Sequence, residues 1–230
     1  MPGKSLRLRR LFRAGRAVMV QIEHGVEHPA AVVRSLDRLG ADAVVVSPGL
    51  LDDVCDECVQ VAVVVRLNVA SARACNICSV EGALRLGAEA VMLSVSSADE
   101  RDLDRLGAVA GNARHFGVPL IVDMVGDASA DTLAVISDFG VDVIQVRPGS
   151  RKEQPLRAIA KSCRRPLLVA LENIAAEKLV RTAHACLEDT AQGLCVGTLD
   201  EQILEALLAL AHNGVGIDEA LEIVGQRSQV

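Results

Sequence analysis

The side chains able to do chemistry in this sequence gather at or just past the ends of short apolar runs. They are Glu23 and His24, Ser47, Arg66 and Asn68, Ser94 and Ser96, Asp123, Gln145 and Arg147, and Glu172 and Asn173. The carboxylates Glu23, Asp123 and Glu172 can move protons or, acting together, offer oxygen ligands to a hard cation such as Mg²⁺. Arg66 and Arg147 are planar, permanently charged donors suited to a substrate carboxylate or phosphate, and equally to pairing with those acids. The Gln145 amide can donate to a developing oxyanion. His24 and His28, with Glu23 and Glu27 beside them, have donor types that zinc or iron accepts. A competing reading packs His24 under the loop after the first run and lets His28 open a helix. On these types the catalytic candidates are Glu23, Asp123 and Gln145, and the substrate-binding candidates are His24, Arg66, Asn68, Arg147 and Glu172. No metal ligand is assigned.

Cys55 and Cys58, then Cys75 and Cys78, form two C-x₂-C pairs with sixteen residues between them, a spacing that alone signals zinc. The first pair precedes the apolar run at 61–67 and the second follows it. A strand of that length spans roughly 20 Å at ~3.3 Å per residue. Four sulfurs cannot share one ion at ~2.3 Å across that distance. These cysteines are expected to be small buried hydrophobes.

The elements that must carry these residues show in a recurring phrase. Leu39-Gly40-Ala41-Asp42, Leu86-Gly87-Ala88-Glu89 and Phe139-Gly140-Val141-Asp142 each run straight into an apolar stretch, as does Phe116-Gly117-Val118-Pro119. Glycine ends a helix there by taking a left-handed conformation that a Cβ would oppose. The stretches at 17–22, 42–46, 61–67, 89–95, 119–123, 141–146, 166–171 and 193–196 lack obvious alternation, as expected of strands covered on both faces. Amphipathic segments such as 98–115, 131–139 and 175–187 lie between them. Strand and helix alternating eight times predict a single-domain α/β fold, a closed (β/α)₈ TIM barrel at 17–213. A basic segment at 1–16 precedes it, and an extra C-terminal helix and tail occupy 214–230. An open doubly wound sheet fits less well, because Glu23-His24-Gly25-Val26-Glu27 is not a Gly-rich phosphate loop.

Composition narrows the rest. Half the residues are hydrophobic but only three are aromatic, all Phe, so the core must be aliphatic. A net charge of −6 gives no reason to bind nucleic acid, and no apolar run approaches the ~20 residues of a membrane span. The basic segment lacks an apolar stretch and cleavage site of a secretory signal. It is expected to be a solvated or intersubunit strap. Seven cysteines, an odd number, fit reduced thiols and a cytoplasmic setting.

The segment from Arg7 to Val18, followed by Ile22-Glu23-His24-Gly25, resembles the DhnA-type (archaeal-type) class I fructose-bisphosphate aldolases. Cys78-Ser79-Val80-Glu81-Gly82-Ala83 and Arg66-Leu67-Asn68 extend the resemblance, which covers nearly the whole chain. It implies an aldolase barrel, with departures. The family's first-strand Asp matches Glu23, and its Schiff-base Lys falls on Gln145. Its Gly-Gly phosphate turn falls on Ala170-Leu171-Glu172, and its Gly-Arg-Asn on Gly197-Thr198-Leu199. The strand end that carries its acid/base Tyr reads Asp123-Met124-Val125, and the chain has no Tyr. An amide cannot form the iminium of class I chemistry. The remaining lysines, Lys4, Lys152, Lys161 and Lys178, fall on tail, loop or helices.

A weaker resemblance, in Leu120-Ile121-Val122-Asp123-Met124-Val125-Gly126, is to hexulose-6-phosphate synthases, which use Mg²⁺. The leading expectation is a divergent aldolase-like lyase or transferase, without a lysine Schiff base or cofactor, acting on a small oxo or carboxylated metabolite. A catalytically silent barrel that binds a metabolite or an aldolase paralogue is the second expectation, and a Mg²⁺-dependent lyase the third. Assembly as a homo-oligomer is expected.

Overall fold

The glycine-ended phrases do what their chemistry suggests. Gly40, Gly87, Gly117 and Gly140 all sit at positive φ, and a strand begins within three residues of each. In the computed structural model those strands are β1 (Ala17–Gln21), β2 (Ala43–Val46), β3 (Ala62–Arg66), β4 (Ala90–Val95), β5 (Leu120–Met124), β6 (Val143–Val146), β7 (Leu167–Leu171) and β8 (Gly193–Val196). Each pairs in parallel with the next and β8 returns to β1, so the sheet is a closed eight-stranded barrel. The structure describes residues 2–23, 25–69, 75–126, 128–147, 156–171, 174–197 and 200–225.

Around the barrel run α2 (Pro29–Leu39), α3 (Pro48–Val54), α4 (Val80–Arg85), α5 (Glu100–Phe116), α6 (Ala130–Asp138), α7 (Leu156–Cys163), α8 (Ala176–Asp189) and α9 (Glu201–Leu208). A last helix, α10 (Ile217–Gly225), packs on α8 and α9. The two Cys pairs flank β3 at its opposite ends, and they are not buried as expected, because they lie in surface segments: Cys55 and Cys75 are exposed and Cys58 and Cys78 partly so. Cys55 and Cys58 lie before it, while the Ile77 and Cys78 amides bond back to Leu67, just past its end.

The apolar runs conceal a period of two that closure makes visible. One buried cluster holds Val18, Val20, Val44, Val46, Val63, Val65, Val122 and Ile144, which face the helices. A second, separate cluster holds Ala17, Met19, Ala43, Val45, Ala62, Val64, Ala90, Met92, Ile121, Val143, Leu168 and Cys195, the alternate residues of the same strands, which point into the barrel. Continuing that inner row upward sets Gln21, Arg66, Ser94, Asp123 and Gln145 in the topmost inward layer. The sheet therefore positions the polar residues by the same alternation that builds its core.

The first inward residues of β1 to β4 are all alanine, and the room they leave is filled from outside the barrel. The N-terminal segment forms α1 (Pro2–Leu11), whose Leu8 and Leu11, with Phe12, join the inner cluster. Its cations meet the acids of the repeated phrases. Lys4 pairs with Asp142 at 2.7 Å, Arg7 and Arg10 with Glu89, and Arg13 with Asp42 at 3.2 Å. The fully buried Asp42 also accepts from the Val18 amide at 2.7 Å and from His212 at 2.8 Å. The basic segment, expected as a solvated or intersubunit strap, pairs Lys4, Arg7, Arg10 and Arg13 with acids of its own barrel. It folds across the base of its own barrel, because that base presents acids and a cavity no strand residue fills.

One glycine lets the barrel close. A Cβ at Gly193 would stand 2.5 Å from the Ala17 carbonyl oxygen and 2.7 Å from the Leu168 side chain, inside any van der Waals contact.

Candidate active site

The C-terminal ends of the strands form the mouth of the barrel, where side chains from different strands converge. Asp123 is its electrostatic centre. It is fully buried on β5, and its carboxylate accepts from Gln145 Nε2 of β6 at 2.8 Å and from the Arg147 guanidinium at 2.9 Å. Ser94 of β4 adds a hydroxyl at 3.3 Å. Arg147 also donates to the Met124 carbonyl at 2.7 Å, which fixes the guanidinium over the β5 end. A buried carboxylate holding an arginine and an amide is a stable unit, since both charges are paired and hydrogen-bonded.

Gln145 is itself completely buried. A carboxylate can only accept, so the side of the amide facing Asp123 must be its NH₂ group. The other end, Oε1, has no hydrogen-bond partner. Gln145 and Arg147 line a cavity of about 240 Å³ with Gln21, Ala170, Leu171, Cys195, Val196 and Gly197. One N–H of the amide expected to serve as an oxyanion donor is engaged by Asp123, and the atom left without a partner is the acceptor Oε1.

Glu23 lies just beyond β1 and is more than half exposed; Gln21 donates to it, and Arg66 of β3 stands 3.6 Å away. Arg66 is largely buried, and its Nε has no partner. Cys195 sits among these groups. Burial pushes its thiol up to about 12, with Asp123 adding to the push and Arg66 and Arg147 opposing it. At neutral pH it is a protonated wall of the cavity, not a nucleophile.

Other candidates turn out to build the frame. The Asn68 amide bonds the Ser94 backbone in both directions at 2.8 Å, clamping the ends of β3 and β4. This occupies the group expected to contact substrate. Ser47 caps α3 by accepting from the Leu50 amide, and Ser96 donates to Asp102 at the start of α5. His24, Glu172 and Asn173 lie outside the described residues, as do Lys152, Thr198 and Leu199. Lys4 is at the base, and Lys161 and Lys178 are on α7 and α8. Among the described residues no group of three or more His, Cys, Asp or Glu could hold a metal ion.

Gln21 and Cys195 were not singled out from the sequence. For Gln21 the signal was available: it is two residues past the inward Met19, the same offset that places Gln145 above Val143, whereas Cys195 follows Gly193 and carries no such mark.

A closed parallel barrel with its polar residues at the C-terminal mouth is the frame of the (β/α)₈ enzymes. Within that class the chain belongs to the DeoC/LacD family of aldolases, whose model matches residues 12–199. It is 23% identical over 261 residues to the 2-amino-3,7-dideoxy-D-threo-hept-6-ulosonate synthase 1 of Archaeoglobus fulgidus, covering 98% of this chain and 97% of that one. An uncharacterized aldolase of Saccharolobus solfataricus is 23% identical over 272 residues, covering 97% and 100%. The fold is shared with a crystal structure of an archaeal fructose-1,6-bisphosphate aldolase whose catalytic Lys is covalently bound to the carbinolamine intermediate of the substrate. The TM-score is 0.74 at 20% identity, over 90% of this chain and 99% of that one. No described helix is long and apolar enough to cross a membrane.

Proposed function

We propose that this aldolase-family barrel acts on a small oxo or carboxylated metabolite at its C-terminal mouth without forming a lysine Schiff base. The observation that carries the reading is the buried Gln145 amide, bonded to Asp123 at the end of β6, where the family resemblance calls for lysine. An amide nitrogen has no nucleophilic lone pair, so the iminium electron sink has no source at that position. The alternative sink is electrostatic. Glu23 takes the proton of a substrate hydroxyl, the adjacent C–C bond breaks, and its electron pair comes to rest on the carbonyl oxygen as an enolate. Arg66 and Arg147 are the cations on hand to stabilise that charge.

Borohydride reduction with small ketoses and oxo acids, followed by intact mass, tests this. The chain is expected to gain no mass. A trapped adduct on any lysine, Lys152 included, would refute it.

One observation favours the second, catalytically silent reading. Asp123 is enclosed by Arg147, Gln145 and Ser94, so among the described residues Glu23 is the carboxylate left at the mouth with an exposed face. Glu23→Gln separates the two: it abolishes turnover in an enzyme and leaves ligand affinity nearly unchanged in a binder. The magnesium reading draws less support, since Arg147 already bonds Asp123 and Arg66 stands beside Glu23.

A further inference from the structure

We propose that Cys55 and Cys58 are a reversible dithiol–disulfide site at the base of the barrel, away from the mouth. Small-molecule disulfides such as oxidised glutathione convert it to a Cys55–Cys58 bridge. The C-x₂-C spacing alone does not select this pair, since Cys75 and Cys78 share it. The backbone does. Cys55–Glu57 form a 3₁₀ turn into which α3 runs directly, and the Cys58 amide closes it by donating to the Cys55 carbonyl at 3.2 Å. Such a turn holds three residues and rises about 2.0 Å for each, so residues three apart eclipse with their Cα atoms about 6 Å from one another. A disulfide needs about 4.4–6.8 Å. At Cys58 the chain leaves the helical path, with φ −86° and ψ 77°, so its side chain can lean back toward Cys55. The second pair has no such turn: the Cys78 amide bonds the Leu67 carbonyl, and Asn76, between the two cysteines, bridges to Asn68.

The two thiols are unequal, and the inequality orders the reaction. Both are free; Cys55 is exposed, and the half-buried Cys58 lines a cavity of about 400 Å³ with Arg10 and Arg13. Burial, with the charge of Asp37 adding to it, pushes the Cys58 thiol up to about 11. The attacking sulfur is therefore that of Cys55. Its thiolate bonds one sulfur of oxidised glutathione, the glutathione S–S bond breaks, and the first glutathione leaves as a thiolate that solvent protonates. Cys58 then gives its proton to solvent and attacks the Cys55 sulfur, which expels the second glutathione. Two protein thiols are oxidised and one glutathione disulfide is reduced to two thiols. Before reaction the sulfurs hold only weak S–H bonds, Cys55 to the Asp52 carbonyl at 3.8 Å and the Asp56 carboxylate at 3.9 Å, and Cys58 to the Val54 carbonyl at 3.6 Å. Little is lost when the bridge replaces them.

Trypsin cuts the chain into peptides that separate the two pairs: 39–66 holds Cys55 and Cys58 and no other cysteine, and 74–85 holds Cys75 and Cys78 and no other. The folded full chain is incubated for hours with oxidised glutathione, the remaining thiols are blocked with N-ethylmaleimide, and the peptides are weighed. Peptide 39–66 is expected to carry no label, to be lighter than its dithiol form by two hydrogens, and to take two labels after dithiothreitol. Peptide 74–85 is expected to be bridged about fivefold less. In urea, where no turn is held, the two peptides should bridge to the same extent. Cys58→Ser, checked for folding by denaturation, should stop with one glutathione on Cys55. Equal bridging of the two peptides in the folded chain, or a preference for 39–66 that survives in urea, would overturn the assignment to the turn. A peptide 39–66 that keeps both labels, or ends with glutathione still attached, would overturn the site itself.

Discussion

The free energy stored around Gln145 can be measured directly. Gln145→Met keeps the length and volume of the side chain and deletes its amide. The deletion removes one N–H bond to a carboxylate, worth about 1.5–3 kcal/mol, and also removes a buried acceptor without a partner, whose presence costs about 1–3 kcal/mol. Asp123 is not orphaned by the change, because Arg147 and Ser94 still donate to it. The two effects oppose each other, so the variant is expected to fall within about 1 kcal/mol of the parent, although a fully buried polar residue has been replaced. Asp123→Asn is the contrast. It sets amide donors against the Gln145 NH₂ and removes the Asp123 charge from beside Arg147, at a cost of about 3 kcal/mol. That figure is the low end of the range because the Arg147 side chain keeps 30% exposure. Urea denaturation reads both. With a slope of about 2 kcal/mol per molar, the midpoint should move by no more than about 0.5 M for Gln145→Met and by about 1.5 M for Asp123→Asn, with the slope unchanged. Equal losses in the two variants would refute the reasoning, since they would mean that Oε1 has a partner in the folded protein.

Three further outcomes follow from the frame. Leu11→Ala, in a side chain wholly buried under the barrel, should cost about 2–5 kcal/mol in the same assay, while Leu6→Ala, on the exposed face of α1, should cost little. Gly193→Val should destabilise the chain by about 1–3 kcal/mol or more, because its Cβ has no room between Ala17 and Leu168; a neutral result would show that the β8–β1 seam can relax. The third concerns alkaline pH. The folded chain holds the Cys195 thiol neutral up to about 12 against an ordinary value of 9.0, and burial likewise raises Cys58 and Cys186 to about 11. Above pH 9 the unfolded chain releases these protons first, so stability should fall as pH rises, by up to about 1.4 kcal/mol per pH unit for the fully buried Cys195 thiol and by less for the shallower Cys58 and Cys186, until the folded value is passed. With no tyrosine in the chain to titrate in the same window, unfolding midpoints at pH 8–11 should decline less steeply in Cys195→Ala than in the parent.

The fold was legible because its signals are local and repeated. A glycine that must take positive φ followed by an apolar run marks four strand starts without knowledge of any contact. The inward and outward faces were not legible in the same way. A strand buried on both sides reads as Met19-Val20 or Ile121-Val122, where apolar residues alternate with apolar residues and the period of two is silent. It becomes audible only where a polar residue enters the inner row, as at Gln21, Asp123 and Gln145. The acids at 42, 89 and 142 were visible as parts of a repeated phrase, and the cations at 4, 7, 10 and 13 as a basic segment. What joins them is a helix packed across the base, a tertiary fact that neither stretch encodes alone. Asn68 shows the converse limit: its residue type suits substrate binding, but its place opposite the Ser94 backbone determines its role.

The two ends of the barrel meet the same physical demand differently, and the difference bears on function. Small inward residues at the base leave a void that α1 fills with leucine and phenylalanine, while its cations neutralise the acids around the rim. At the mouth the cavity stays open, and the Gln145 carbonyl in its wall stays without a partner. The fold does not require this arrangement. A methionine at 145 would close the layer above Val143 and remove an acceptor whose burial costs about 1–3 kcal/mol. The amide proposed to stand in place of a Schiff-base amine thus also brings a buried acceptor that the packing around it does not satisfy.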